Sequence, residues 1–259
     1  MMKNIGIIGC GWLGLHLAEH LYPANRIFTT TTSEDKISPL TSKGFDVTMI
    51  NFPSLEISKN STRWKALDIL DVIIITVPFS KQSDINSLLL RFENISQFIE
   101  GFEKQLFLMS SIGIYPPIET EIEEKTFNDS LLVPNLLQVE KLILNKFPQV
   151  NILRLGGLMG NDRVFSKYKV QPTNQAVNHV HFEDICLIIE KMISKNSSTK
   201  IYNVVAPLHP TKQEIINFQK GITNNIISKE KPQGRIILTK LLIDELNYEY
   251  KNQDPKMFY

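Results

Sequence analysis

Apolar and polar positions along this chain fall into two alternating rhythms. Short runs rich in Ile, Val, Phe and Thr recur at KNIGII (3–8), RIFTTT (26–31), DVTMI (46–50), DVIIITV (71–77), QLFLMSS (105–111) and VNILRL (150–155). Most lack the polar alternation of a half-solvated strand, so they predict strands covered on both faces, as in a parallel sheet under helices. Between them LGLHLAEHLY (13–22), KISPLTSKG (36–44), DINSLLLRFENISQFIEGF (84–102) and PNLLQVEKLILNKF (134–147) place apolar residues at helical spacing. The last opens on Pro134, whose fixed φ suits a first helical turn. This β-α-β-α order predicts an α/β fold: a Rossmann-type doubly wound parallel sheet with helices on both faces.

After Leu155 the rhythm breaks into the loop-rich stretch GGLMGNDRVFSKYKVQPTNQAVNHVH (156–181). Beyond it the spacing predicts a helix from about Glu183 to Ser194 and a strand over KIYNVV (200–205). A helix starting after Pro210 and Thr211 follows, and a last one around TKLLIDELNYEY (239–250). These late pieces are too short and too interleaved with loops to enclose a core of their own. Residues 1–259 therefore read as one Rossmann-type domain in which residues from about 156 contribute a small C-terminal lobe. No internal repeat or low-complexity tract interrupts it.

Charge narrows the range of partners. Lys and Arg total 28 against 27 Asp and Glu, a net charge of +1, so no overall field favours nucleic acid or an anionic membrane. No stretch reaches the ~18 uninterrupted apolar residues of a spanning helix. Cys10 and Cys186 have no metal-ligand spacing, so no metal is expected, and two thiols fit a reducing cytoplasm. The apolar run before Cys10 superficially matches a lipoprotein processing site. It is too short for a signal-peptide core and is soon followed by His16, Glu19 and His20, so it reads as a strand. These features predict a cytoplasmic protein acting on a small molecule.

The candidate chemistry begins in IGIIGCGWLG (5–14), where Gly9, Gly11 and Gly14 make G-x-G-x-x-G between a predicted strand and a predicted helix. In that context Gly9 permits a tight turn, Gly11 lets a diphosphate approach bare backbone, and Gly14 lets the helix pack closely on the strand. The competing reading is a glycine-rich turn kept for packing. Trp12 and Leu13 go with the phosphate loop, where Trp12 either covers a cofactor or packs. Cys10 is either a redox-sensitive thiol or a small buried apolar group. An NAD site usually carries an acid at the end of the second strand. TTTTSEDK (29–36) instead offers the hydroxyls of Thr31, Thr32 and Ser33, with Glu34 and Asp35 already in a helix. With neither a clear acid nor an arginine there, the expected cofactor is NADP or NAD, leaning to NADP. Ser33 equally suits a plain N-cap. TVPF (76–79) closes the fourth strand and puts Thr76, Val77 and Pro78 where the adenosine half usually passes.

LMSSIGIYP (108–116), VNILRLGGLMGNDR (150–163), VNHVHFEDIC (177–186), KIYNVVAPLHPTKQEI (200–215) and ILTKLLIDELNYEY (237–250) follow one another in a familiar order. Together they resemble the extended and atypical short-chain dehydrogenases/reductases, the NAD-dependent epimerase/dehydratase group, over nearly the whole chain. The resemblance implies that Ser111 orients a substrate oxygen. It also implies a Tyr-x-x-x-Lys pair on the next helix, supplying the proton that must accompany hydride transfer. With Glu140 taken as the acidic residue that follows that pair, Leu132 and Leu136 stand in its place. With Lys141 taken as the lysine, Leu137 replaces the tyrosine.

Tyr115, four residues after Ser111, is the nearest replacement, against a structural reading. His179 and His181 are others, although their alternation with Val180 and Phe182 suits the flanks of a short strand. Asp184 reads as a helix-dipole residue or loop anchor, Lys141 as a solvated face, and Arg154 as a paired structural cation or a substrate clamp. The expected function is an NAD(P)-dependent oxidoreductase or epimerase of a small hydroxylated or sugar-like substrate, with Ser111 and Tyr115 as catalytic candidates. The alternatives are a catalytically inactive NAD(P)-binding regulatory protein and a cofactor-free scaffold. Helix pairing into a homodimer is a further implication of the resemblance.

Overall fold

A computed structural model describes residues 1–53, 63–168, 171, 173–222 and 232–258. Its strands are β1 (Asn4–Ile8), β2 (Arg26–Thr31), β3 (Asp46–Met49), β4 (Val72–Ile75), β5 (Gln105–Ser111), β6 (Glu121–Ile122), β7 (Asn151–Leu155), β8 (Gly157–Met159), β9 (His179–His181), β10 (Ile201–Val204) and β11 (Ile236–Ile237). Its α-helices are α1 (Trp12–Leu21), α2 (Ile37–Ser42), α3 (Ile85–Phe98), α4 (Pro134–Lys146), α5 (Phe182–Ser194), α6 (Lys212–Gln219) and α7 (Lys240–Leu246).

Seven strands form one sheet in the order β3-β2-β1-β4-β5-β7-β10, every neighbouring pair parallel. The sheet is wound outward in both directions from β1 and β4, the Rossmann arrangement the pattern predicts. β4 shows why polar alternation is missing. Its four residues are completely buried, Val72 and Ile74 packing with α1 and α5 residues while Ile73 and Ile75 pack with those of α3 and α4. Burial on both faces removes any position at which a polar side chain would meet water.

Two further strand pairs involve four short strands, of which only β9, at the His179–His181 alternation, is marked in the sequence. β8 pairs with β9, and β6 with β11, both parallel. They stand just past the carboxyl ends of β7 and β5. Segments of two or three residues have no measurable period, so the 156–181 stretch reads as loop from sequence although part of it is paired. Of the later residues, β10 completes the main sheet and α5 packs on α1, while β8 with β9 and β11 with β6 form separate two-stranded pairs. Among the described residues no helix is long and apolar enough to cross a membrane, and no His, Cys, Asp or Glu group is arranged to hold a metal.

Candidate functional site

The glycine loop is fixed by the ends of its neighbouring strands. Gly9 turns the chain at φ +94°, a conformation that favours glycine. Its amide donates to Thr30 Oγ1 at 2.9 Å, and the Cys10 amide donates to the Thr30 carbonyl at 2.8 Å. The Thr76 hydroxyl donates to the Gly9 carbonyl at 2.6 Å. The chain then enters α1 at Gly11, where no side chain caps the first turn and no acidic residue occupies it. Neither the N-cap side chain nor an acidic residue of the helix itself therefore meets the first-turn amides and the positive end of the dipole.

The three glycines serve different ends. A Cβ on Gly14 would stand 2.5 Å from the Gly9 carbonyl oxygen and 2.9 Å from Thr76 Oγ1, so this glycine lets helix and strand meet. A Cβ on Gly11 would come no nearer to any neighbour than 4.0 Å. No packing within the protein requires a glycine there; its bare backbone suits close approach by a ligand.

A cleft of about 500 Å³ opens along the carboxyl edge of the sheet. It is bounded by the glycine loop, the ends of β2, β4 and β5, and the turn from β7 into β8. Gly9, Gly11, Trp12, Leu13, Gly14, Thr31, Thr32, Thr76, Val77, Pro78 and Ser111 all line it. Ser33 is absent from the lining. Its amide donates to Thr31 Oγ1 at 3.2 Å as the chain enters the short turn Glu34–Lys36, and its own side chain makes no capping bond. The lining also includes Lys36, Asn51, Phe52, Arg91 and Arg163, which the sequence does not single out. Among the described residues the lining contains these three cations and no carboxylate.

At the inner end Ser111 closes β5, partly exposed, its Oγ accepting the Gly113 amide at 3.0 Å. Leu132 and Leu136, which one alignment sets at the Tyr-x-x-x-Lys pair, are buried with Ile112, Ile114 and Tyr115, and Leu137, which the other alignment sets at the tyrosine, packs half-buried against the same cluster. Tyr115, the other catalytic candidate, is buried. It does not line the cleft, and its hydroxyl donates to Asn203 Oδ1 at 2.6 Å while accepting from Arg154 Nη1 at 2.9 Å. Burial raises the phenol above its ordinary range, although Arg154 opposes the shift.

Arg154 is in turn held by Glu140, and Ser110, which lines the cleft, donates its hydroxyl to Glu140 Oε1 at 2.6 Å. Burial alone would depress the guanidinium. The hydrogen bonds and charge of Glu140, with a smaller part from Tyr115, outweigh it and keep the cation above its ordinary value. This is the paired structural cation of the sequence reading.

The remaining candidates are also structural in their placement. His179 lies over Gly157, where burial and then Lys212 push it down to about 4, so its ring is neutral near pH 7. His181 caps α5, its Nδ1 accepting the Glu183 amide at 3.4 Å, and burial lowers its pKa. Asp184 is fully buried and accepts the Tyr248 hydroxyl and the amides of Lys251 and Asn252, which anchors the C-terminal segment. Lys141 pairs with Asp129 on the surface at 2.6 Å. Burial raises the thiols of Cys10 and Cys186, the latter to about 12, so neither is a ready thiolate.

No known protein-family profile matches the chain. Protein YeeZ of Escherichia coli strain K12 is 26% identical over 271 residues, an alignment covering 98% of each chain. A putative NAD-dependent epimerase/dehydratase from Methylobacillus flagellatus superposes with a TM-score of 0.73 at 19% identity, covering 100% of this chain and 97% of the other. Gre2 of Candida albicans, solved in complex with NADPH, superposes with a TM-score of 0.71 at 15% identity, covering 96% and 95%. The chain has the fold of these two solved structures.

Proposed function

We propose that the cleft binds a nicotinamide dinucleotide, NADP(H) in preference to NAD(H), and that the chain is an oxidoreductase or epimerase of a small hydroxylated or sugar-like substrate. The observation that carries this reading is the pairing of bare backbone at Gly11 with a cleft that presents Lys36, Arg91 and Arg163 and, among the described residues, no carboxylate. Such a lining suits a polyanionic ligand. An acid at the end of β2 would favour the free ribose hydroxyls of NAD. Thr31, Thr32 and Lys36 occupy that region instead, and they suit the 2′-phosphate of NADP. The structural neighbours named for NAD dependence and solved with NADPH agree with this class of ligand.

In this arrangement the loop amides and Gly11 receive the diphosphate, and Thr76, Val77 and Pro78 flank the adenosine half. Ser111 orients the substrate oxygen. The bound coenzyme supplies or accepts the hydride. With Leu132 and Leu136 in place of the usual pair, the accompanying proton passes to and from solvent beside Ser111. The free, buried cysteines agree with a cytoplasmic setting, and a homodimer remains part of the same reading.

The buried leucines also favour a second reading, a regulatory protein that binds the dinucleotide without turnover. Fluorescence titration with NADPH and NADH, then turnover assays against carbonyl compounds and nucleotide sugars, separates the two. Turnover that disappears in Ser111→Ala supports the enzyme. Tight binding with no turnover across the panel supports the regulator, and absence of binding overturns both.

A further inference from the structure

On the reading that the cleft holds a nicotinamide dinucleotide, we infer that Arg163 clamps its diphosphate from the C-terminal side, positioned by Trp12 and Asp162. Trp12 is the first residue of α1, so its ring leaves the helical turn whose amides face the cleft. The indole Nε1 donates to Asp162 Oδ1 at 2.6 Å, a bond between residues 150 positions apart in sequence, and this fixes the ring's orientation. The Arg163 guanidinium carbon then lies 4.2 Å from the centre of that ring. An aromatic face attracts the cation without consuming its N–H donors, which lie in the guanidinium plane.

The base of the side chain is held as firmly as its head. Gly160 and Arg163 exchange both backbone hydrogen bonds, at 2.8 and 3.0 Å, across a turn with Gly160 at φ +109° and Asn161 at φ +55°. A cation in an ordinary structural role pairs with a carboxylate, as Arg154 does with Glu140. Arg163 lines the cleft, and among the described residues no carboxylate pairs with it. Its side chain lies over Trp12, the residue that follows Gly11, whereas Lys36 follows the end of β2. The two cations therefore meet different parts of the ligand. Lys36 suits the 2′-phosphate that NADP alone carries, and Arg163 the diphosphate common to both coenzymes.

That division makes the inference testable apart from the reading it rests on. NADPH and NADH are titrated into the full chain by fluorescence, in the wild type and in Arg163→Ala, Arg163→Lys and Asp162→Ala, with circular dichroism as a check on folding. Arg163→Ala is expected to weaken both coenzymes by the same factor, roughly ten- to a hundredfold, leaving their ratio unchanged. Arg163→Lys retains charge without the planar fork and is expected to lose less. Asp162→Ala releases the indole and is expected to weaken both coenzymes several-fold while altering the emission of Trp12. Wild-type affinity for both coenzymes in a folded Arg163→Ala chain, or a loss confined to NADPH, overturns the clamp and leaves the proposed function standing. A wild-type chain that binds neither coenzyme removes the ligand, and both readings fall together.

Discussion

The Glu140 carboxylate grips the Arg154 guanidinium through two hydrogen bonds, Nε to Oε1 at 3.1 Å and Nη2 to Oε2 at 2.7 Å, with 5% or less of either side chain exposed. The pair links α4 to β7, and through Ser110 and Tyr115 it reaches β5 and the turn that follows. Removing one partner leaves the other charge buried and unpaired, which costs more than the bonds themselves contribute. Glu140→Gln is therefore expected to lower unfolding free energy by about 3–5 kcal/mol in urea titrations. Ser110→Ala, which deletes one hydroxyl and leaves both charges paired, is expected to cost about 1–2 kcal/mol. Equal losses in the two variants would contradict a stabilising role for the charge pair.

The strand runs of the main sheet and the glycine loop were legible because each leaves a local mark. A fully buried parallel strand such as β4 writes four apolar residues in a row, and a phosphate-binding turn writes glycines at fixed spacing. The cations of the cleft leave no such mark. Arg91 lies on a helix that the sequence predicts, but its side chain meets the cleft only because of how α3 packs on the sheet. Arg163 lies in a stretch without periodicity, and its partner Trp12 is separated from it by most of the chain. Tyr115 shows the converse. It stands four residues from Ser111 in sequence, yet after the short helical turn Ile112–Ile114 its ring is buried in an apolar cluster.

Gly11 and Gly14 separate binding from folding. Among the described residues a methyl at Gly11 comes no nearer to a neighbour than 4.0 Å, and the backbone there, at φ −83°, is open to any residue. Gly11→Ala is expected to melt within a degree or two of wild type, yet to weaken NADPH binding by roughly tenfold or more as the methyl intrudes on the diphosphate. At Gly14 a methyl stands 2.5 Å from a backbone carbonyl that is itself held by Thr76, so the helix must shift. Gly14→Ala is expected to destabilise the fold by about 1–3 kcal/mol, seen as a lowered melting temperature without ligand. Unimpaired coenzyme binding in Gly11→Ala would remove the reason for a glycine there.

Lys36 offers the sharpest test of coenzyme preference. Its ammonium lines the cleft beside Thr31 and Thr32, and no acid at the end of β2 competes with it. Lys36→Ala is expected to weaken NADPH by roughly tenfold and to leave NADH nearly unchanged, because only the former carries the 2′-phosphate. Lys36→Glu is expected to reverse the order of the two affinities. Raising the salt concentration is expected to reduce the NADPH preference of the wild type more than that of Lys36→Ala. A preference insensitive to both substitutions would place the 2′-phosphate elsewhere.

The half-buried His179 ring makes stability depend on pH. Its folded pKa is pushed down to about 4 by burial, with Lys212 adding to the shift, against an ordinary value of 6.5. Above pH 6.5 the ring is neutral whether the chain is folded or unfolded, and the fold has its full stability. As the pH falls from 6.5 towards 4, the unfolded chain binds a proton that the folded chain refuses. Stability is then lost by about 1.4 kcal/mol for each pH unit, until the folded form also titrates. Between pH 7.5 and 5 the His179 contribution is thus about 2 kcal/mol. Urea midpoints for the wild type and His179→Gln over that range isolate it, since the carboxylates and the other depressed histidines, His16, His181 and His209, are common to both chains. The wild-type curve is expected to fall more steeply with acid than the variant's. Parallel curves would mean that the ring takes up its proton without unfolding the turn from β7 into β8, and that Gly157 leaves it room to reach solvent.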